Sequence, residues 1–128
     1  MAYYFTKTIK ASFPEAVERT KAALSAHGFG VLSEIDVAAT LKAKIGADMA
    51  PYLILGACNP QFAHRALQAE PKIGTMLPCN VIVREEAPGK IEIAAIDPVA
   101  SMQAVDNPLL GEIAGSVRAM LKTIVDEI

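Results

Sequence analysis

The soft and nucleophilic side chains of this sequence are few: two cysteines, Cys58 and Cys79, with His64 and Met76 close to them along the chain. Cys58 stands in the stretch LILGACNPQFAHRAL, residues 53–67, where an apolar run ends on Gly56-Ala57-Cys58 and breaks at once into Asn59-Pro60. A thiol placed just before a helix start faces unpaired N–H groups and the positive end of the helix dipole. Both favour the thiolate and can lower its pKa from the usual value of about 8.5. Read that way, Cys58 is a candidate nucleophile, His64 a candidate base, and the helix-start N–H groups candidate oxyanion donors. The opposing reading makes Cys58 a small apolar plug beside Gly56 and Ala57.

The same residues allow two other chemistries. Cys58, Cys79, His64 and Met76 are the candidate metal ligands. Zinc takes about four ligands, while the two cysteines and His64 supply at most three and no CxxC is present. Copper(I) accepts fewer and softer ligands, and there Met76 enters. A helix start with Gly56 beside it, open to close approach, is also a generic site for a small anion. The nucleotide and phosphate signatures GxGxxG and GxxxxGK[ST] are absent, as are GxSxG, HExxH and the EF-hand loop. Glu34 and Asp36 fit solvated or capping roles better than acid–base work, and Lys42 can pair with them or face solvent.

Positioning these groups requires a particular order of elements. Residues 3–9 are β-branched and aromatic and predict a strand. Ser12 with Glu15 three residues on forms a capping box, and Phe13, Val17, Thr20, Leu24 and His27 recur at helical spacing until Gly28 closes the helix. Residues 29–35 predict a second strand. Asp36 then caps a short helix on Val37, Leu41 and Ile45 that ends at Gly46. Residues 51–57 are apolar without alternation, which predicts a central strand buried on both faces. Asn59 and Pro60 open a third helix with Phe62, Ala63, Ala66 and Leu67 inward. Residues 71–78 carry two prolines and a glycine and predict a loop. Two strands near 79–86 and 90–96 flank a Pro88-Gly89 type II turn. A last helix, capped by Asn107-Pro108, carries two adjacent apolar stripes. One such stripe suffices to cover a sheet face, so the width predicts a second contact, either with a partner subunit or deeper in its own core.

The elements read β-α-β-α-β-α-β-β-α, an α+β fold with a single layer of helices on a mixed, largely antiparallel five-stranded sheet. Whether Cys58 and Cys79 meet depends on the direction of the fourth strand. An extended 71–78 segment, able to span ~25 Å, returns it antiparallel and puts both thiols at one end. A right-handed crossover makes it parallel and separates them.

Composition bounds the function. At 128 residues the chain reads as one domain, residues 1–128. Hydrophobic residues are 52% and charged residues 20%, an apolar balance that points to a homo-oligomer interface or an extensive core. A net charge of −2 without any basic block lacks the footprint of nucleic-acid binding. No run approaches the ~20 apolar residues of a membrane span. The N-terminus MAYYFTKTIK does not read as a secretory signal. A cytoplasmic protein with free thiols is the expectation.

The run SEIDVAATLKAKIG, then PYLILGACNPQFAHRAL, IGTMLPCNVIV and AAIDPVASM, resembles a family of small, mostly bacterial proteins known only as domain of unknown function 302. LGACNP at 55–60 and LPCNV at 77–81 are the most specific parts, and both stand intact. The resemblance implies a compact α+β domain that tends to dimerise, and no established activity, substrate or cofactor. Together these readings predict a homodimer that binds or senses, without catalysis, a small anion, thiol compound or soft metal. Gly56, Cys58, Asn59 and Pro60 would lie on one side of the site and Met76, Pro78, Cys79 and Asn80 on the other. A thiol enzyme using Cys58, and a purely structural domain, are the alternatives.

Overall fold

The computed structural model describes residues 2–128. Five strands, β1 (Tyr4–Lys10), β2 (Gly30–Asp36), β3 (Tyr52–Cys58), β4 (Cys79–Ala87) and β5 (Lys90–Ile96), form one sheet in the order β1-β5-β4-β3-β2. Every neighbouring pair is antiparallel, so the sheet is not mixed. Between the strands lie α1 (Phe13–Ala26), α2 (Val37–Ile45) and α3 (Pro60–Ala69), and after β5 come α4 (Pro98–Ser101) and α5 (Pro108–Glu127).

The helix boundaries follow from side-chain capping. Ser12 Oγ accepts from Glu15 N at 3.2 Å, Asp36 Oδ1 from Ala39 N at 2.9 Å and Asn107 Oδ1 from Leu109 N at 3.2 Å. Each satisfies a first-turn donor that the helix itself cannot. Gly28 takes φ +80° after α1, a left-handed conformation that a residue with a Cβ rarely adopts. The β4–β5 hairpin turns through Gly89 at φ +78°, as the Pro-Gly pair predicts. Two segments differ from expectation. Residues Pro71–Met76 are a 3-10 helix rather than a loop, and Asp97 caps the short α4, which sequence periodicity does not register.

The helices cover one face of the sheet. There Ile9, Leu55, Val81, Val83, Ile91 and Ile93 are buried against α1 and α5. The two apolar stripes of α5 are explained within this chain. Ile113, Val117 and Ile124 of one stripe are buried together with Leu110, Ala114, Leu121 and Val125 of the other, because α5 packs on α1, α3 and α4 as well as on β1 and β5. Leu109, at its start, stands half-exposed, and Met120 is only partly buried. β3 is interior to the sheet, as its unbroken apolar run predicts, but Tyr52 and Ile54 on its second face are only half-buried. Strand alternation and register put Tyr52, Ile54, Ile82, Ala94 and Ile96 on that open face, with Ile35 and Tyr4 48% and 41% exposed beside them.

Candidate functional site: an apolar cavity at the thiol end of the sheet

The connection after α3 doubles back, so β4 runs antiparallel to β3 and Ala57 pairs with Cys79. That register brings the two cysteines to the same end of the sheet, where both line a cavity of about 350 Å³. Its floor is the strand ends with Ala57, Cys58 and Cys79. One side is α3 with Phe62, Ala63 and Ala66, and the other is α5 with Leu110, Ile113 and Ala114. Leu77 and Pro78, and Pro98 and Met102 beside α4, complete the wall. Ala63 and Ala66 of α3 and Ala114 of α5 are the small residues among these walls, and a larger side chain at any of them would take up part of the space.

The cavity mouth is apolar too. β2 carries a bulge between Val31 and Ser33, and the extra residue is Leu32. A bulge re-aims a side chain, and Leu32 lines the cavity while remaining 70% exposed. Leu67 of α3 also lines it and is 42% exposed. Asn59 is the only polar side chain on the wall other than the thiols, and its Oδ1 is already used as the cap of α3, accepting from Phe62 N at 3.3 Å.

The helix start offers an anion little. Pro60 has no N–H, and those of Phe62 and Ala63 are donated to the side-chain and backbone oxygens of Asn59, at 3.3 and 2.9 Å. Nor does the dipole govern the thiols. Burial raises the Cys58 pKa rather than lowering it. Cys79 is pushed up to about 11, first by burial and then by the neighbouring Cys58. Desolvation disfavours the charged form, and on this apolar wall it is the leading cause of both shifts.

Of the residues expected at this site, the structure brings Cys58, Asn59, Pro78 and Cys79 together on the cavity wall. Gly56, Pro60, Met76 and Asn80 are not on it. Gly56 matters underneath: a Cβ there would collide with the Ser33 hydroxyl and come within 2.8 Å of the Pro78 ring, so the glycine lets Pro78 lie flat over β3. Asn80 alternates away from Cys79 and borders a shallow depression on the open sheet face. His64 is exposed on α3, and Met76 ends the 3-10 helix at 38% exposure. Among the described residues, no three His, Cys, Asp or Glu side chains converge as a metal site would need. Glu34 pairs with Lys21 at 3.0 Å, Lys42 with Asp48 at 2.7 Å and His27 with Glu127 at 2.6 Å, so these charged groups serve the scaffold. Sequence reasoning missed the α5 and α4 walls. The double stripe on α5 was the available signal, since a helix apolar over so wide an arc must face more than a sheet.

The fold and cavity define a class: an open antiparallel sheet with helices on one face, enclosing an apolar pocket with un-ionised thiols on its wall. The chain belongs to the family described as Domain of unknown function DUF302, whose model matches residues 5–128. It is similar to the crystal structure of an uncharacterized conserved DUF302 protein from Bacillus stearothermophilus, at 32% identity and a TM-score of 0.91, over 99% of this chain and 98% of that one. No curated protein matches the chain. Among the described residues, no helix is long and apolar enough to cross a membrane.

Proposed function

We propose that this protein is a non-enzymatic binding or sensing protein for a small, uncharged organic ligand held in the cavity beside Cys58 and Cys79. The observation that carries the reading is a cavity of about 350 Å³ whose polar wall groups are the two thiols and the capped Asn59. Ligand sites of this size, mostly apolar with a few polar groups, are typical of small-molecule pockets. Both thiols are held toward the neutral form, which suits a soft, polarisable wall and runs against a nucleophile. The exposure of His64 leaves Cys58 without a base on the cavity wall. A small anion is the poorer fit because, among the described residues, the cavity wall carries no cation and Asn59 takes up two of the first-turn donors, and a metal would have the two thiols alone.

The same reading makes the protein a homodimer joined through the open sheet face. Five strands spaced about 4.8 Å apart, each covering about seven residues of ~3.3 Å, present roughly 550 Å² in flat projection. With side-chain relief, that approaches the ~800 Å² per partner of a stable interface. Free thiols in this chain fit a reducing compartment such as the cytoplasm.

The test is protection of Cys58. Uncharged organic compounds that raise the melting temperature should also slow alkylation of Cys58 by N-ethylmaleimide at pH 7.5, whereas inorganic phosphate and acetate should do neither. Protection by phosphate alone would overturn the reading in favour of the anion site. Fast alkylation below pH 7 would overturn it in favour of an activated nucleophile.

A further inference from the structure

We infer that the cavity takes an unbranched hydrocarbon chain, entering past Leu32 and Leu67 and ending against the strand floor. The inference rests on the binding reading above and names its ligand class. Three observations support it. First, the wall from floor to mouth is hydrocarbon or sulfur, and the one amide on it is already turned to its own helix. A ligand with polar atoms deep inside would lose its water and gain no partner.

Second, the volume sets the length. An apolar cavity of about 150 Å³ holds one benzene ring, so the roughly 350 Å³ here corresponds to about ten to fourteen carbon atoms. Third, two leucines at the mouth, Leu32 and Leu67, both line the cavity and both reach solvent. Leu32 is presented by a bulge, a local departure from regular pairing, and is 70% exposed. A chain crossing the mouth would cover both. A polar head would remain in solvent at that rim.

The experiment uses the full-length protein and displacement of the fluorescent probe N-phenyl-1-naphthylamine by linear 1-alkanols of six to sixteen carbons. Affinity should rise about fourfold per added methylene, and level off between about ten and fourteen carbons, where the volume is full. Ala63→Phe, which projects a ring into the cavity, should weaken binding of 1-decanol at least tenfold. Leu32→Glu, at an exposed rim position where folding is not at stake, should weaken it as well, and circular dichroism confirms that each variant is folded. A flat dependence on chain length, or unchanged binding in both folded variants, would overturn the chain assignment. If the alkanols fail to bind while a short uncharged polar compound such as 1,2-propanediol protects Cys58 from alkylation, the cavity reading stands and the hydrocarbon class falls. If neither binds nor protects, both fail.

Discussion

Gly56→Ala is the sharpest test of how the cavity wall is built. Its added Cβ would lie 2.8 Å from the Pro78 ring carbon and against the Ser33 hydroxyl. Ordinary carbon contacts sit at about 3.5–4.0 Å, so the shortfall is about 0.7 Å or more. The two obstacles differ. Ser33 can turn its hydroxyl away by rotating about one bond, at small cost. The Pro78 ring cannot rotate, and moves only if the backbone between Leu77 and Cys79 moves with it. Overpacking of this kind costs about 1–3 kcal/mol, and a value of about 2 kcal/mol is expected here. For a chain of this size that corresponds to a melting temperature lower by about 6–10 °C. Unfolding in urea followed by far-UV circular dichroism is the assay, because the chain has no tryptophan. In a Pro78→Ala background the ring carbon is gone and the cost of Gly56→Ala should fall by at least half, a coupling that a double-mutant cycle measures. A loss below about 0.5 kcal/mol in the native background, or an identical loss in both, would refute the packing argument.

Further outcomes follow from other parts of the molecule. Cys79 is buried and its pKa is raised from 9.0 to about 11, so between those values the folded state keeps a proton that the unfolded chain has lost. Stability therefore falls as pH rises through that window, by up to about 3 kcal/mol, and the stability difference between the native protein and Cys79→Ala, measured in urea at pH 7.5 and 10.5, should shrink by about 2 kcal/mol. Asp97 is buried, caps α4 through Val99 N at 3.0 Å and accepts from Arg118 Nε at 3.0 Å. Asp97→Ala should cost about 1–2 kcal/mol in the same assay, because it removes the cap of α4 and the ion pair to Arg118, whose half-exposed guanidinium stays solvated over the Phe5 ring. Ile54→Lys on the open sheet face should leave the melting temperature of the monomer within about 2 °C. It should also convert a dimer to monomer by sedimentation velocity, and an unchanged sedimentation coefficient for a dimeric native protein would place the interface elsewhere.

Local chemistry decided a good deal of this protein before any long-range contact formed. Ser12, Asp36, Asn59 and Asn107 each hold a side-chain oxygen within three residues of the donor it caps, and Gly28 and Gly89 mark left-handed turns, so the helix starts and the hairpin are written in short segments. The apolar periodicities of β3 and α5 likewise announce an interior strand and a deeply buried helix. What only the tertiary structure decided is how distant segments face each other. The direction of β4, and with it the meeting of Cys58 and Cys79, depends on a 3-10 helix whose bonds join residues 70–77 and carry no hydrophobic period. The thiol shifts come from burial, to which α4 and α5 contribute walls some twenty to sixty residues away in sequence. A helix start beside a cysteine argues for a thiolate, and burial by those remote helices argues against it. Burial prevails because desolvation acts on the thiol wherever the covering atoms come from in the chain, and remote segments supply most of those atoms.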